Sequence, residues 1–462
     1  MIRCLPSVAV CVSLALSTSG LHAQSHTAPA PEWLDAYREP AARLVGESLA
    51  TDFAWQRLAT LTDTFGHRLA GTPQLDRAIA WAAAEMRRDG LQNVRTEAVM
   101  VPKWVRGAES AEIIRPSAHT MAMLGLGDSV GTPARGIQAE ALVVNSFDEL
   151  DTHAAKARGR IVVFNVPYTG YGETRPVRSS GPSRAARLGA VAALVRSVGP
   201  AGLRLPHTGG LQYTEGVPKI PAAAIASEDA DRLQRMADRG DTIVLKLQME
   251  AHFEADVPSA NVIGEIRGRE RPDEVVVVGG HLDSWDVGAG ASDDGGGCVA
   301  TWEALRLMKR LNLRPRRTVR VVLFTNEENG TRGGLAYRDA HRAELPGHVM
   351  MLEADDGLFP PNAFGFSGNG RGRDTVQAIA SLLSGIAVDR VLPNGGGSDI
   401  EPSVAAGRIP GMSYDGAGDY FVIHHTAADT IDKIAPADVA RAAAAVAVMA
   451  YVVADMPTRL GQ

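Results

Sequence analysis

Side chains able to do metal or acid–base chemistry fall in five short stretches. The run "GGHLDSWDVGAGASDDGGG", from Gly279 to Gly297, supplies two: His281 with Asp283, and the paired Asp293-Asp294. "NEEN" supplies Glu327 and Glu328, and "EADDG" supplies Glu353, Asp355 and Asp356. "HHTAADT" supplies His424 and His425. Imidazoles and carboxylates together are the donors of a divalent metal site, with zinc favoured and cobalt or manganese able to use the same set. Any one stretch alone is what a solvated turn looks like, so the question is whether the fold brings them together.

The intervening elements say that it does. "EVVVVGG" is a buried strand running into His281, "RTVRVVLFTNEE" a strand running into Glu327-Glu328, and "HVMMLEADDG" a strand running into Asp355. Helical patterns follow at Gly297 to Leu311, about Gly333 to Glu344, and Thr375 to Leu383, and "RIPGMSYD" reads as a further strand. Near-continuous apolar strands alternating with helices predict an α/β fold, with a mostly parallel mixed sheet covered on both faces. Ligands of such sheets bind outside the carboxyl ends of the strands, where these groups lie. Residues from about 130 to 250 change character: short strands such as "EALVVN" and "GRIVVFNV" alternate with helical pieces in loops rich in Gly, Pro and Ser. They read as a separate, smaller α/β module.

These segments, in this order, resemble the signatures of the co-catalytic di-zinc exopeptidases, and most closely the plasma glutamate carboxypeptidase (carboxypeptidase Q) branch. The resemblance covers 32–125 and 255–457, the two parts of a catalytic domain, and 130–250 is similar to an inserted protease-associated domain. It implies that His281 and Asp355 bind one zinc, Glu328 and His425 a second, and that Asp293 bridges the two. It implies Glu327 as general base and Asp283 as the carboxylate orienting His281. Ser398, in "GGGSD", matches a position beside the other histidine, and His424 is a candidate oxyanion donor where some relatives carry a tyrosine. A cis peptide at Asp293-Asp294 is expected on the same ground.

The implied activity is hydrolysis of dipeptides or short peptides by zinc-activated water. Aminopeptidase action on longer peptides, glutaminyl cyclase-like acyl transfer and a non-catalytic peptide-binding homologue are the alternatives. A homodimer is expected by analogy with the branch.

Bulk properties agree with a soluble enzyme. The 462 residues are 45% apolar and 22% charged, enough for a full core. A net charge of -6 leaves no basic footprint, so no nucleic-acid partner is expected. Arg3, the apolar Leu5 to Leu16 and "LHA" before Gln24 read as a signal peptide over 1–23, predicting an exported, periplasmic or extracellular protein. Of its 3 cysteines, cleavage there leaves Cys298 alone. The apolar stretch Ala437 to Met456 contains Arg441 and is expected to be a buried helix rather than a membrane span. Outside the five stretches, His67, His119, His153, His207, His252, His341 and His348 lack ligand spacing and are expected at the surface.

Overall fold

The computed structural model describes residues 31–462, and the expected signal segment lies outside the described residues. Two eight-stranded sheets organise the chain. Across the main sheet the order is Gln92–Val105, His252–Ile266, Arg317–Phe324, Arg271–His281, His348–Phe359, Gly411–Ala417, Ala363–Ser367 and Val391–Pro393. Its centre is parallel, and antiparallel pairs flank it on both sides. The fold is the expected mixed α/β sheet flanked by helices.

The central strands are apolar throughout because helices cover both faces. Val276, Val278, Val319, Val321 and Leu323 enter the large core with the helices Gly296–Arg310 and Pro436–Asp455. Val275, Val277, Val322 and Phe324 enter a second core with Tyr337, Leu345 and Ile400 on the other face. That alternation is the two-residue period of a strand. The helix Pro436–Asp455 is long and apolar enough to cross a membrane, but 83% of its most apolar window is buried inside the fold, against Gly296–Arg310 and Asp35–Leu49. It is a core helix.

The second sheet uses strands from Glu109–Arg115 to Val244–Met249. The chain leaves the main sheet after Val105 and rejoins it at His252. This unit therefore starts at Glu109, not near 130, and the strands Glu109–Arg115, His119–Met121 and Met123–Gly125 belong to it. Only a short turn around Gly107 separates the strand Gln92–Val105 from Glu109–Arg115, so the change of sheet leaves no break in composition.

Register sets the site. His281 pairs with Phe324, and Gly279 with Glu353, so the ends of three parallel strands stand level. The strand His348–Phe359 runs on past Asp355 rather than ending there. Between Glu353 and Asp356 it carries one residue more than its partner, which spans Ser413 to Asp415. Such bulges re-aim a side chain, here at Asp355.

Candidate metal centre

Asp293 lies at the middle of the strand-end cluster. Its Oδ1 is 3.2 Å from His281 Nε2, which is itself 3.1 Å from Asp355 Oδ1. Its Oδ2 is 3.2 Å from His425 Nε2, which is 3.1 Å from Glu328 Oε2. One carboxylate thus separates two histidine–carboxylate pairs and offers one oxygen to each. Zinc bonds of about 2.0 Å in a tetrahedron place neighbouring donors about 3.3 Å apart, so the spacing fits a metal on either side.

The tautomers fit as well. His281 Nδ1 donates to the main-chain carbonyl of Asp283 at 2.9 Å, and His425 Nδ1 donates to that of Thr208 at 3.3 Å. A carbonyl can only accept, so each Nδ1 carries a hydrogen and Nε2 is the nitrogen left to face the cluster.

The loop carrying Asp293 is held by carboxylates. Asp429 accepts from the backbone N–H groups of Ala291, Ser292 and Asp293, at 2.7–3.1 Å. Asp294 accepts from His281 N–H at 2.9 Å and from Gly297 N–H at 3.1 Å. The Asp293-Asp294 peptide is cis. Gly280 and Gly297 are required by close approach: a Cβ on Gly297 would stand 1.6 Å from Ala354 O, and one on Gly280 2.1 Å from Asp294 Oδ2.

Electrostatically the cluster favours positive charge. Burial raises Glu328 to about 8, with Asp293 adding to it, and it raises Asp355 well above the carboxylate range. Burial lowers His281 and His425, but the facing Asp355 and Glu328 outweigh it and hold both imidazoles well above their usual range. Asp293 would also rise by burial, but the hydrogen bonds from His281 and His425 hold it well below.

The other predicted residues sort as follows. Glu327 lines a cavity of about 620 Å³ beside the cluster, with Asp293, Glu328, Asp355, His424 and His425. Asp283 is fully buried, but its carboxylate is 3.8 Å from His281 Nδ1. It accepts instead from the N–H groups of Glu327 and Glu328, at 3.1 and 3.3 Å, so it positions both glutamates while its carbonyl orients His281. His424 stacks on His425 with centroids 3.5 Å apart, and its Nε2 is 3.5 Å from Asp293 Oδ2. Burial, and then His425, holds its pKa well below the usual value. Ser398 borders the cavity, is exposed and makes no hydrogen bond to His425. Glu353 accepts from Asp399 N–H and Ile400 N–H and stands apart from the cluster's histidines.

Two contributors carried no usable signal. Thr208 comes from the second-sheet unit, and besides accepting from His425 its N–H donates to His425 O at 3.0 Å. That second bond anchors the positive φ of 61° at His425. Arg68, in "FGHRLAGTP", is fully buried and donates to the carbonyls of Gly66, Leu282, Ala289 and Gly290, tying down the 282–290 loop. His207, His341 and His348 are buried, not at the surface: His341 meets Glu97 and Glu344, His348 meets Tyr337 OH, and His207 is enclosed with its Nδ1 unpartnered.

A family model described as Peptidase family M28 matches residues 261–450. Carboxypeptidase Q of Mus musculus is 48% identical over 408 residues, which span 88% of this chain and 87% of that protein. Carboxypeptidase Q of Homo sapiens is 46% identical over 412 residues, 89% of this chain and 87% of its own. The crystal structure of a Peptidase M28 precursor from Shewanella amazonensis superposes with a TM-score of 0.88 at 34% identity, covering 93% of this chain and 99% of that one.

Proposed function

The chain belongs to peptidase family M28, and from that premise we propose that it is a di-zinc exopeptidase cleaving dipeptides or short peptides. The observation that carries the proposal is Asp293, with one oxygen 3.2 Å from each of two histidine Nε2 atoms. His281 and Asp355 would hold one zinc, Glu328 and His425 the other, and Asp293 both. Bound zinc supplies a Lewis acid that polarises the scissile carbonyl and lowers the pKa of a water.

The chain's own groups do the rest. Glu327, whose backbone N–H is held by Asp283, faces the cavity without a ligand's duties. It takes the proton from the attacking water and delivers it to the leaving amine. Glu328 cannot share that work, because one carboxylate oxygen accepts from Trp285 N–H at 3.0 Å and the other faces His425. His424 lines the same cavity as a neutral imidazole and is assigned the hydrogen bond to the developing oxyanion. The second-sheet unit is taken as the inserted protease-associated domain, walling the cleft through Tyr171, Arg175, Gly210 and Gln212. The N-terminal export pattern and the single cysteine left after it support a periplasmic or extracellular enzyme.

The test is metal content beside turnover. Two zinc ions per chain are expected, with chelator-sensitive hydrolysis of a free dipeptide. Glu327→Gln should keep both ions and lose roughly 10²- to 10⁴-fold in kcat. One ion per chain would point to the cyclase alternative, and peptide binding without cleavage to a binding protein. Full activity in Glu327→Gln would remove it as general base.

A further inference from the structure

The two histidine–carboxylate pairs are supported differently. His281 donates to Asp283 and Asp294 and faces Asp293 and Asp355, all of them in the catalytic sheet and the loops at its strand ends. The Glu328–His425 pair leans on the second-sheet unit. His425 Nδ1 donates to Thr208 O at 3.3 Å, and Glu328 Oε1 accepts from Trp285 N–H at 3.0 Å. Trp285 follows the strand Arg271–His281 in sequence, but its side chain, 2% exposed, packs in the core of the second-sheet unit.

Shape seats that indole. Gly127 of the second-sheet unit faces the ring so closely that a Cβ there would stand 1.8 Å from Trp285 Cη2. Trp104, at the end of the strand Gln92–Val105, meets it edge to face with centroids 6.4 Å apart. The same ring meets His425 at 5.7 Å, with the planes at 66°. Its Nε1 is buried without a partner, so packing rather than a hydrogen bond sets its position. The next residue, Asp286, is clamped by Arg106 through Nε at 2.8 Å and Nη2 at 2.5 Å, a two-bond fork that fixes geometry. Arg106 Nη1 also donates to Gly125 O of the second-sheet unit. A shift of that unit would withdraw the Thr208 carbonyl and turn the Trp285 N–H together. The His425 ring and the Glu328 carboxylate would then be free to rotate, while His281 would keep its supports.

We propose that Trp285 is a positioning residue for the Glu328–His425 metal position: keyed against Gly127, it makes that position dependent on the docked second-sheet unit, whereas the His281–Asp355 position is built by the catalytic sheet alone. The inference rests on the two-metal reading above. Trp285 acts on the metal through its main-chain N–H to Glu328 and its ring against His425.

The experiment titrates the full chain, stripped of metal, with cobalt(II) against a competing chelator, followed by visible absorption. Wild-type protein should bind two ions. Trp285→Ala should weaken one of them roughly ten- to a hundredfold and leave the other within about twofold, and Trp285→Phe should restore most of the loss. Gly127→Ala reaches the same contact from the second-sheet unit without touching a ligand, so it tests the proposal whether or not Trp285→Ala folds. It should give the same one-sided loss, and combined with Trp285→Ala it should add little, because the ring it displaces is gone. Ligand variants assign the position: Trp285→Ala should weaken the ion that remains in Asp355→Ala, and not the ion that remains in Glu328→Ala. Equal weakening of both ions overturns the proposal, since loss of packing alone would do that. Unchanged affinities in Trp285→Ala and Gly127→Ala overturn it as well. Either result in a protein that binds two ions defeats this inference alone, whereas a wild type that binds one ion overturns the two-metal reading, and this inference with it.

Discussion

Around Arg320 the main sheet buries one polar cluster, and around Asp293, at its strand ends, it buries another. In the first, Arg320 donates to Glu265 at 2.8 Å and to Tyr337 OH at 2.9 Å, with Glu344 at 3.3 Å. His341 Nε2 meets Glu97 at 3.0 Å, and Tyr337 OH meets His348 Nε2 at 2.9 Å. Burial alone would raise Glu97 and Glu344, but His341 and Arg320 outweigh it, and both fall below the usual range. Around Asp293 burial outweighs the lowering by His425 on Glu328, which rises to about 8, and that by the Ile400 and Asp399 N–H groups on Glu353, which rises to about 7. Arg68 is buried nearby, but it donates to main-chain carbonyls and to no carboxylate. The carboxylates of the two clusters thus shift in opposite directions. The carboxylates around Arg320 face a permanent cation of the fold, whereas those around Asp293 face only histidines, and the proposed metal site would bring its cation from outside.

The largest effect expected from this contrast is on stability. Arg320→Met should cost about 3–5 kcal/mol in urea unfolding, because it removes the guanidinium that lies 2.8 Å from the buried Glu265 carboxylate. A loss below about 1 kcal/mol would mean the carboxylates there do not depend on the guanidinium, and the contrast would fail.

Next comes His348, which burial lowers to about 4. Between that value and the ordinary one near 6.5, the unfolded chain binds a proton that the native imidazole refuses. Its contribution is therefore complete above about pH 6.5 and is lost as pH falls toward 4, on the order of 3 kcal/mol in all. His348→Gln cannot titrate and should flatten the slope of stability against pH in that window, relative to the wild type. An unchanged slope would place the acid sensitivity elsewhere, with His207, also lowered to about 4 by burial, the first alternative.

A sharper comparison pairs one carboxyl from each cluster. Glu97 is ionised and bonded, so Glu97→Gln should cost about 1–3 kcal/mol. Asp399 is fully buried with both oxygens unpartnered, and burial, with Glu353 beside it, raises it well above the usual range. Its charged form is disfavoured by that burial and has no partner to lose, so Asp399→Asn should change stability near pH 7 by less than about 0.5 kcal/mol. Equal losses in the two variants would erase the distinction.

What could be read beforehand follows the physics of short-range pattern. His281, Asp293, Glu328, Asp355 and His425 were legible because each follows an apolar strand or opens a polar loop, and strand ends of such sheets converge. The bulge that turns Asp355 inward was not, since it depends on pairing with Gly411–Ala417. Thr208 was invisible for a stronger reason: its contribution is a main-chain carbonyl, which every residue has, meeting a histidine 217 positions away. Arg68 was invisible for the same reason, since its partners are the main-chain carbonyls of Gly66, Leu282, Ala289 and Gly290.

The smallest predicted effect concerns how the second imidazole is held. By resemblance Ser398 stands beside His425, but here it is exposed at the rim and unbonded to it, while Thr208 O faces Nδ1. Ser398→Ala should therefore leave kcat/KM for a free dipeptide within about twofold and stability within about 0.5 kcal/mol. The two histidines would then be oriented alike, each by a main-chain carbonyl, one from the catalytic sheet and one from the inserted unit. A tenfold loss would instead give Ser398 a polar role in the strand-end cluster, one served by a side chain that closes in when substrate binds.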